Sequence, residues 1–215
     1  MTPDLVTHLV GAVTTALAVA FAVPQLLRLR RTGTAAGVSV PSIGNSLVSC
    51  VAWTAYGVSL GDVWVTATSV AGLPALGATF VLALRSGASR RGLWLPVAWA
   101  ALLAAAAVAA PLVPALFPAL LGFSVLWYAL PAVLTAWTSR DVAGIAPGTW
   151  WLLALDGSLG GLYGLLADVP ANLWYAGVAL SASGLVLLRL AWRRTRACGV
   201  CAPVPGCRCD VALAA

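Results

Sequence analysis

Pro24-Gln-Leu-Leu-Arg28-Leu-Arg-Arg31, then Gly37-Val-Ser-Val-Pro41, then Ser49-Cys-Val-Ala-Trp53-Thr-Ala-Tyr56-Gly57 sets the architecture of this chain. It occurs twice. A shift of 107 residues carries Pro24 onto Pro131, Gly37 onto Gly144, Val38 onto Ile145, Tyr56 onto Tyr163 and Gly57 onto Gly164, with Pro41 one residue out of register with Pro147. The matched residues are Pro, Gly and Tyr, whereas chance matching in this chain would favour Ala and Leu. Self-similarity at a fixed period marks a repeated structural unit.

The units are built for lipid. Of the 215 residues 61% are hydrophobic and 8% charged, with a mean hydropathy of +0.97. A soluble domain carries about 25% charged residues to cover its surface, and disorder needs low hydrophobicity with high charge. Both are excluded, leaving a polytopic membrane protein with no room for a separate soluble domain. All 12 basic residues are Arg and all 6 acidic residues are Asp. Lysine and glutamate, two common catalytic groups, are missing, His8 stands alone, and no Ser/His/Asp or His/Glu constellation occurs, so no enzyme is expected. The pI of about 9.6 does not signal nucleic acid, because the arginines cluster at the ends of apolar runs.

Seven apolar runs are long enough to cross a bilayer, which takes roughly 20 residues each: Val6–Leu29, Val40–Leu60, Val63–Leu84, Leu93–Val113, Ala115–Trp137, Ala146–Ala167 and Pro170–Trp192. The first is read as a retained helix, since its positive cluster follows the run and a secretory signal has the opposite polarity. Arg28, Arg30 and Arg31 follow the first run, Arg85, Arg90 and Arg91 the third, Arg140 the fifth, and Arg189, Arg193, Arg194 and Arg196 close the seventh. The other loops carry only Asp62 and Asp168. The positive-inside rule therefore predicts an outside N-terminus and a cytoplasmic C-terminus, and seven spans give the same parity. The expected fold is all-α: two parallel three-helix repeats joined by a linker helix (3+1+3), with residues 1–88 and 115–196 as repeats, 89–114 as linker and 197–215 as a Cys-rich cytoplasmic tail. Parallel repeats about an axis along the membrane normal occur in secondary transporters, with the solute at the midplane.

These motifs, in this order and duplicated, resemble the PQ-loop superfamily, and most closely the SWEET and SemiSWEET sugar facilitators. The resemblance covers residues 10 to 192. It implies a plasma-membrane transporter that works by alternating access. Pro24 with Gln25, Pro41, Pro131 and Pro147 look like the family's proline tetrad, which serves as hinges; each proline lacks an N–H and is expected to free a helix carbonyl. In the SWEET pattern each repeat supplies a small polar residue, a Trp one turn later and an Asn on its third helix. The first copy has Ser49 and Trp53, with Thr68 and Ser69 near the Asn position; the second has Asp156, Gly160 and Ala176. The expected solute site is therefore Ser49, Trp53, Thr68 and Asp156.

Asp156 lies in an otherwise apolar run, where an ionisable group costs about 3 kcal/mol to insert and reads as functional by default. No Arg lies within a span at its depth. Proton coupling, binding of an amine, and a purely structural hydrogen bond all remain open. Another PQ-loop branch, the cystine and cationic amino-acid exporters, uses an intramembrane Asp in the second repeat, and Asp156 is similar. Gly157, Gly160 and Gly161 beside it serve close helix packing or widen a cavity. Trp64, Trp137, Trp150, Trp151, Trp174 and Trp192 read as an interfacial belt.

Cys198, Cys201, Cys207 and Cys209 are weak candidates for a zinc site; a plain tail is the preferred reading, with no cofactor expected beyond possible proton coupling. The expected partners are a small polar solute and the lipid bilayer, and no nucleic acid; a homo-oligomer stays open. Sugar leads as the solute class, a proton-coupled amino-acid or amine exporter using Asp156 is the alternative, and a receptor that binds without turnover is a third reading.

Overall fold

A computed structural model describes residues 3–33, 39–88, 90–138, 145 and 147–201. These residues form helices α1 (Pro3–Thr32), α2 (Val40–Leu60), α3 (Val63–Arg85), α4 (Trp94–Ala109), α5 (Leu116–Gly122), α6 (Leu126–Thr138), α7 (Pro147–Leu166) and α8 (Pro170–Cys201), with a 3-10 turn at Phe123–Val125. Among the described residues there is no strand. Among the described residues, three helical stretches are long and apolar enough to cross a membrane: Leu5–Arg31, Val63–Arg85 and Pro170–Trp192. Helices α2 and α7, at 21 and 20 residues, match the length, but Ser, Thr, Asn, Gly, Trp and Tyr dilute their apolar character. Large apolar side chains point outward along the bundle, Val108 with 82% of its surface bare, and only an apolar solvent covers such a surface without cost.

The fifth apolar run, expected as one helix, is interrupted. Gly122 lies so close to α8 that a Cβ there would stand 2.3 Å from Cβ of Trp174 and 2.8 Å from the Ala171 carbonyl. The next three residues tighten into a 3-10 turn, a feature common at functional hinges. The fourth run stops short at Ala109, because Pro111 and Pro114 cannot continue it. Helix α8 runs on past Trp192 to Cys201.

The same turn closes both halves. Gly61 ends α2 in the left-handed region (φ 67°), and the Asp62 N–H bonds back to the Gly57 carbonyl at 2.9 Å. In the other half Asp168 (φ 54°) takes that conformation, and the Val169 N–H bonds to the Gly164 carbonyl at 2.9 Å. Glycine meets no Cβ penalty there, and aspartate is among the few other residues that tolerate it. All six positions, in three pairs, are related by the 107-residue shift. Helix packing repeats too: α3 lies against both α1 and α2, and α8 lies against α7 and the α5–α6 segment. The two triplets meet through α1 with α7 and through α2 with α5 and α6, while α4 packs on α2 and α5.

The core is divided unevenly. One buried cluster joins Tyr56, Val65 and Trp99 to Tyr163, Val169 and Ala171, so it spans both triplets at the end where α2 turns into α3. At the arginine-rich end the buried residues form two clusters. One, around Leu29, Val40 and Ala83, belongs to the first triplet; the other, around Ala136, Trp150 and Leu190, belongs to the second. The triplets thus share a core at one end and keep separate cores at the other.

Candidate functional site

Asp156 projects from the middle of α7, and its Oδ2 accepts a hydrogen bond from the Tyr175 hydroxyl on α8. Tyr175 stands in the register of Thr68 under the 107-residue shift. Gly160 lies beside it, and an added Cβ there would stand at an ordinary contact distance, 3.7 Å, from the Tyr175 ring. From the first triplet Trp53 reaches this pair. Its ring meets the Tyr175 ring edge-on, with centroids 6.3 Å apart, and its Nε1–H donates to Ser124 Oγ on the 3-10 turn at 3.4 Å. A carboxylate, a phenol, an indole and a hydroxyl from α7, α8, α2 and the 3-10 turn are thus joined across the triplet boundary.

The other two expected site residues lie elsewhere. Ser49 Oγ accepts from Trp99 Nε1 of α4 at 2.9 Å, in a buried contact. Thr68 Oγ1 and Thr15 Oγ1 are 2.9 Å apart, joining α3 to α1. Trp53 and Asp156 are brought together through Tyr175; Ser49 and Thr68 are each engaged by a neighbouring helix. One turn before Ser49, Asn45 is 4% exposed and its Oδ1 accepts no hydrogen bond among the described residues. A buried acceptor without a donor is uncommon in folded proteins and calls for a cause.

A second cross-triplet contact lies at the shared-core end. The Tyr163 hydroxyl of α7 reaches both Oδ1 and Oδ2 of Asp62 at 2.8 Å. Asp62 is already the N-cap of α3, accepting from the Trp64 and Val65 amides at 2.9 Å each, the usual way to satisfy free donors at a helix start. The register mate of Tyr163, Tyr56 of α2, packs in one buried cluster with Ala171 in the first turn of α8. Each tyrosine therefore crosses to the start of the third helix of the opposite triplet.

The glycines of α7 resolve into two roles. An added Cβ would lie 3.0 Å from Cβ of Ala179 at Gly157, 2.8 Å from Cβ of Ala176 at Gly161 and 2.8 Å from Cβ of Asn172 at Gly164. These three let α7 and α8 pack closely, whereas Gly160 has space for a Cβ beside Tyr175. The prolines also divide. Pro24 lies inside α1 and Pro131 inside α6. Pro41 and Pro147 instead sit in the first turns of α2 and α7, where the missing N–H had no helical partner to lose. The freed-carbonyl argument therefore applies to Pro24 and Pro131. Pro74 inside α3 is a further ladder break that the repeat did not flag. Gln25 is partly buried beside an exposed Pro24.

Two tryptophans assigned to a belt are packed instead. Trp150 is in the core of the second triplet, and Trp64 donates to His8 Nδ1 at 2.8 Å with its ring against Gly11. Among the described residues no three His, Cys, Asp or Glu side chains group as metal ligands. Cys207 and Cys209 lie outside the described residues, and so do the side chains of Cys198 and Cys201. No known family model matches the chain, and no curated protein matches it.

Proposed function

We propose that this chain is a seven-span carrier of the plasma membrane, arranged 3+1+3, that moves a small polar solute by alternating access, with sugars as the leading solute class. The observation that carries this reading is the Asp156–Tyr175–Trp53–Ser124 constellation, a partly buried polar cluster formed from both triplets. A polar group at such depth in an apolar bundle is maintained for a function. Rings beside hydroxyl and carboxylate groups suit a ligand with an apolar face and polar edges.

The matched turns, the shared helix order and the resemblance to SWEET facilitators support the repeat architecture. With the arginines inside, the reciprocal tyrosine contacts close the outer end, and the two separate cores lie on the cytoplasmic side. That corresponds to a conformer closed outward. Four specific observations keep a second reading in play, a proton-coupled exporter of an amino acid or amine: the site holds one carboxylate, one of two expected indoles, and Ser49 and Thr68 are engaged elsewhere.

Proteoliposome uptake from a mixed pool of sugars, amino acids and amines, at pH 5.5 and 7.5, separates these. A neutral sugar entering equally at both values supports a facilitator. Entry of an amino acid or amine only under a proton gradient supports the exporter. Tight binding without entry of any solute would replace both with a receptor.

A further inference from the structure

By sequence α4 is a connector that returns the chain across the membrane. Its packing is more specific than that. Pro96 fits against Gly44 of α2, where an added Cβ would meet its ring at 2.9 Å. One turn on, Trp99 is 3% exposed. Its Nε1–H donates to Ser49 of α2, in the first triplet, and its ring meets Trp127 of α6, in the second, edge-on at 5.4 Å. One indole therefore touches both triplets at the seam between α2 and α6.

The two contacts differ in kind. A buried indole N–H needs an acceptor, and a hydrogen bond weakens steeply once its angle or distance departs from a narrow range. An edge-to-face ring contact tolerates a wide spread of separations. Trp99 is thus fixed to α2 and only leans on α6. Ser49 is one helical turn from Trp53, and Trp127 about one turn from Ser124, so the Trp99 contacts lie directly beside the Trp53–Ser124 bond. When two triplets rock against each other, this seam must change, and packed interfaces change between discrete arrangements.

We propose that Trp99 is a positioning residue that moves with the first triplet through its bond to Ser49 and bears on Trp127 of the second, holding the α2–α6 seam in the arrangement in which the triplets share a core at one end and keep separate cores at the arginine-rich end. This rests on the alternating-access reading above. Trp99→Phe keeps a ring against Trp127 and deletes the donor; Ser49→Ala deletes the acceptor. Both remove the same bond, so the double variant behaves as either single one.

The test uses spin-label distances in lipid nanodiscs, which need no knowledge of the solute. In a background with Cys50, Cys198, Cys201, Cys207 and Cys209 replaced by Ala, labels at Arg30→Cys and Thr149→Cys report the arginine-rich end, and labels at Leu60→Cys and Leu166→Cys report the other. These are exposed positions near helix ends in opposite triplets. Trp99→Phe and Ser49→Ala are expected to shorten the first distance and lengthen the second, each beyond the width of the parent distribution, with no further change in the double variant. Unchanged distributions would overturn the proposal. Equal broadening of both pairs would overturn it as well, since that is loosened packing. A reciprocal shift in a protein that takes up no solute leaves the role of Trp99 standing and removes the transporter reading instead.

Discussion

At Asp156 two free energies oppose each other. Placing a carboxylate in the span costs about 3 kcal/mol, and a hydrogen bond from a phenol to a charged acceptor returns roughly 1.5–3 kcal/mol. The balance is near zero or unfavourable, so the pair does not owe its presence to stability. Asp156→Asn keeps an acceptor for Tyr175 and removes the charge. The expected outcome is an unchanged or higher thermal midpoint with transport abolished or uncoupled from protons, measured by unfolding in detergent and by proteoliposome uptake. Normal uptake by the Asn variant at every pH would take Asp156 out of the mechanism. Asn45 gives a second prediction of opposite sign for fold and function. Its buried Oδ1 lacks a donor, and such a group costs roughly 1–3 kcal/mol. Asn45→Leu is therefore expected to raise the thermal midpoint. If the acceptor serves the solute, the same variant raises KM for uptake.

Helix packing sets the next prediction. Gly161 faces Ala176 of α8 with no room for a methyl group, at 2.8 Å, while Gly160 has ordinary contact distance to Tyr175, at 3.7 Å. Gly161→Ala forces α7 and α8 apart and is expected to destabilise the protein by about 1–3 kcal/mol. Gly160→Ala gains helix propensity, roughly 0.5–1 kcal/mol, and is expected to be neutral or stabilising. Chemical unfolding of the two variants side by side checks this; equal effects would mean that the glycines are not distinguished by packing. Much at this scale was legible in the sequence. Val40–Leu60 is both the second apolar run and α2, because Ser39, Pro41 and Gly61 mark its ends locally. The 3-10 break was not legible, since it arises where Gly122 meets α8 and Ser124 meets Trp53, contacts remote in sequence. Ser49 was legible as a polar residue in a span, but its partner Trp99 sits on the helix the repeat leaves out. Tyr175 was within reach: the 107-residue shift that paired Ser49 with Asp156 also pairs Thr68 with Tyr175.

For the molecule as a whole, the question is what holds one end shut. The Tyr163–Asp62 contact joins the triplets at the shared core, and under the proposed alternating access, with the arginines inside, opening this end has to break it. A hydrogen bond to a charged group is worth about 2 kcal/mol, and each 1.4 kcal/mol is tenfold in an equilibrium. Tyr163→Phe leaves the ring in place and deletes this shared hydrogen bond, so the open-outward population is expected to rise roughly thirtyfold where the bond exists only in the closed state. Tyr56→Phe keeps the ring packed in the cluster with Ala171 and shifts the same balance less. Ser124 is buried behind this closure and supplies the readout. In the cysteine-free background, Ser124→Cys is expected to react slowly with a membrane-impermeant maleimide applied outside the cell. Adding Tyr163→Phe accelerates the reaction about tenfold or more, and adding Tyr56→Phe accelerates it less. Asp62→Asn is the control, because an amide oxygen still accepts from the α3 amides and from Tyr163; its rate falls between parent and Tyr163→Phe. Equal rates in all four proteins would show that the outer end is held by the apolar core around Val65, Val169 and Ala171, with the tyrosines incidental to closure.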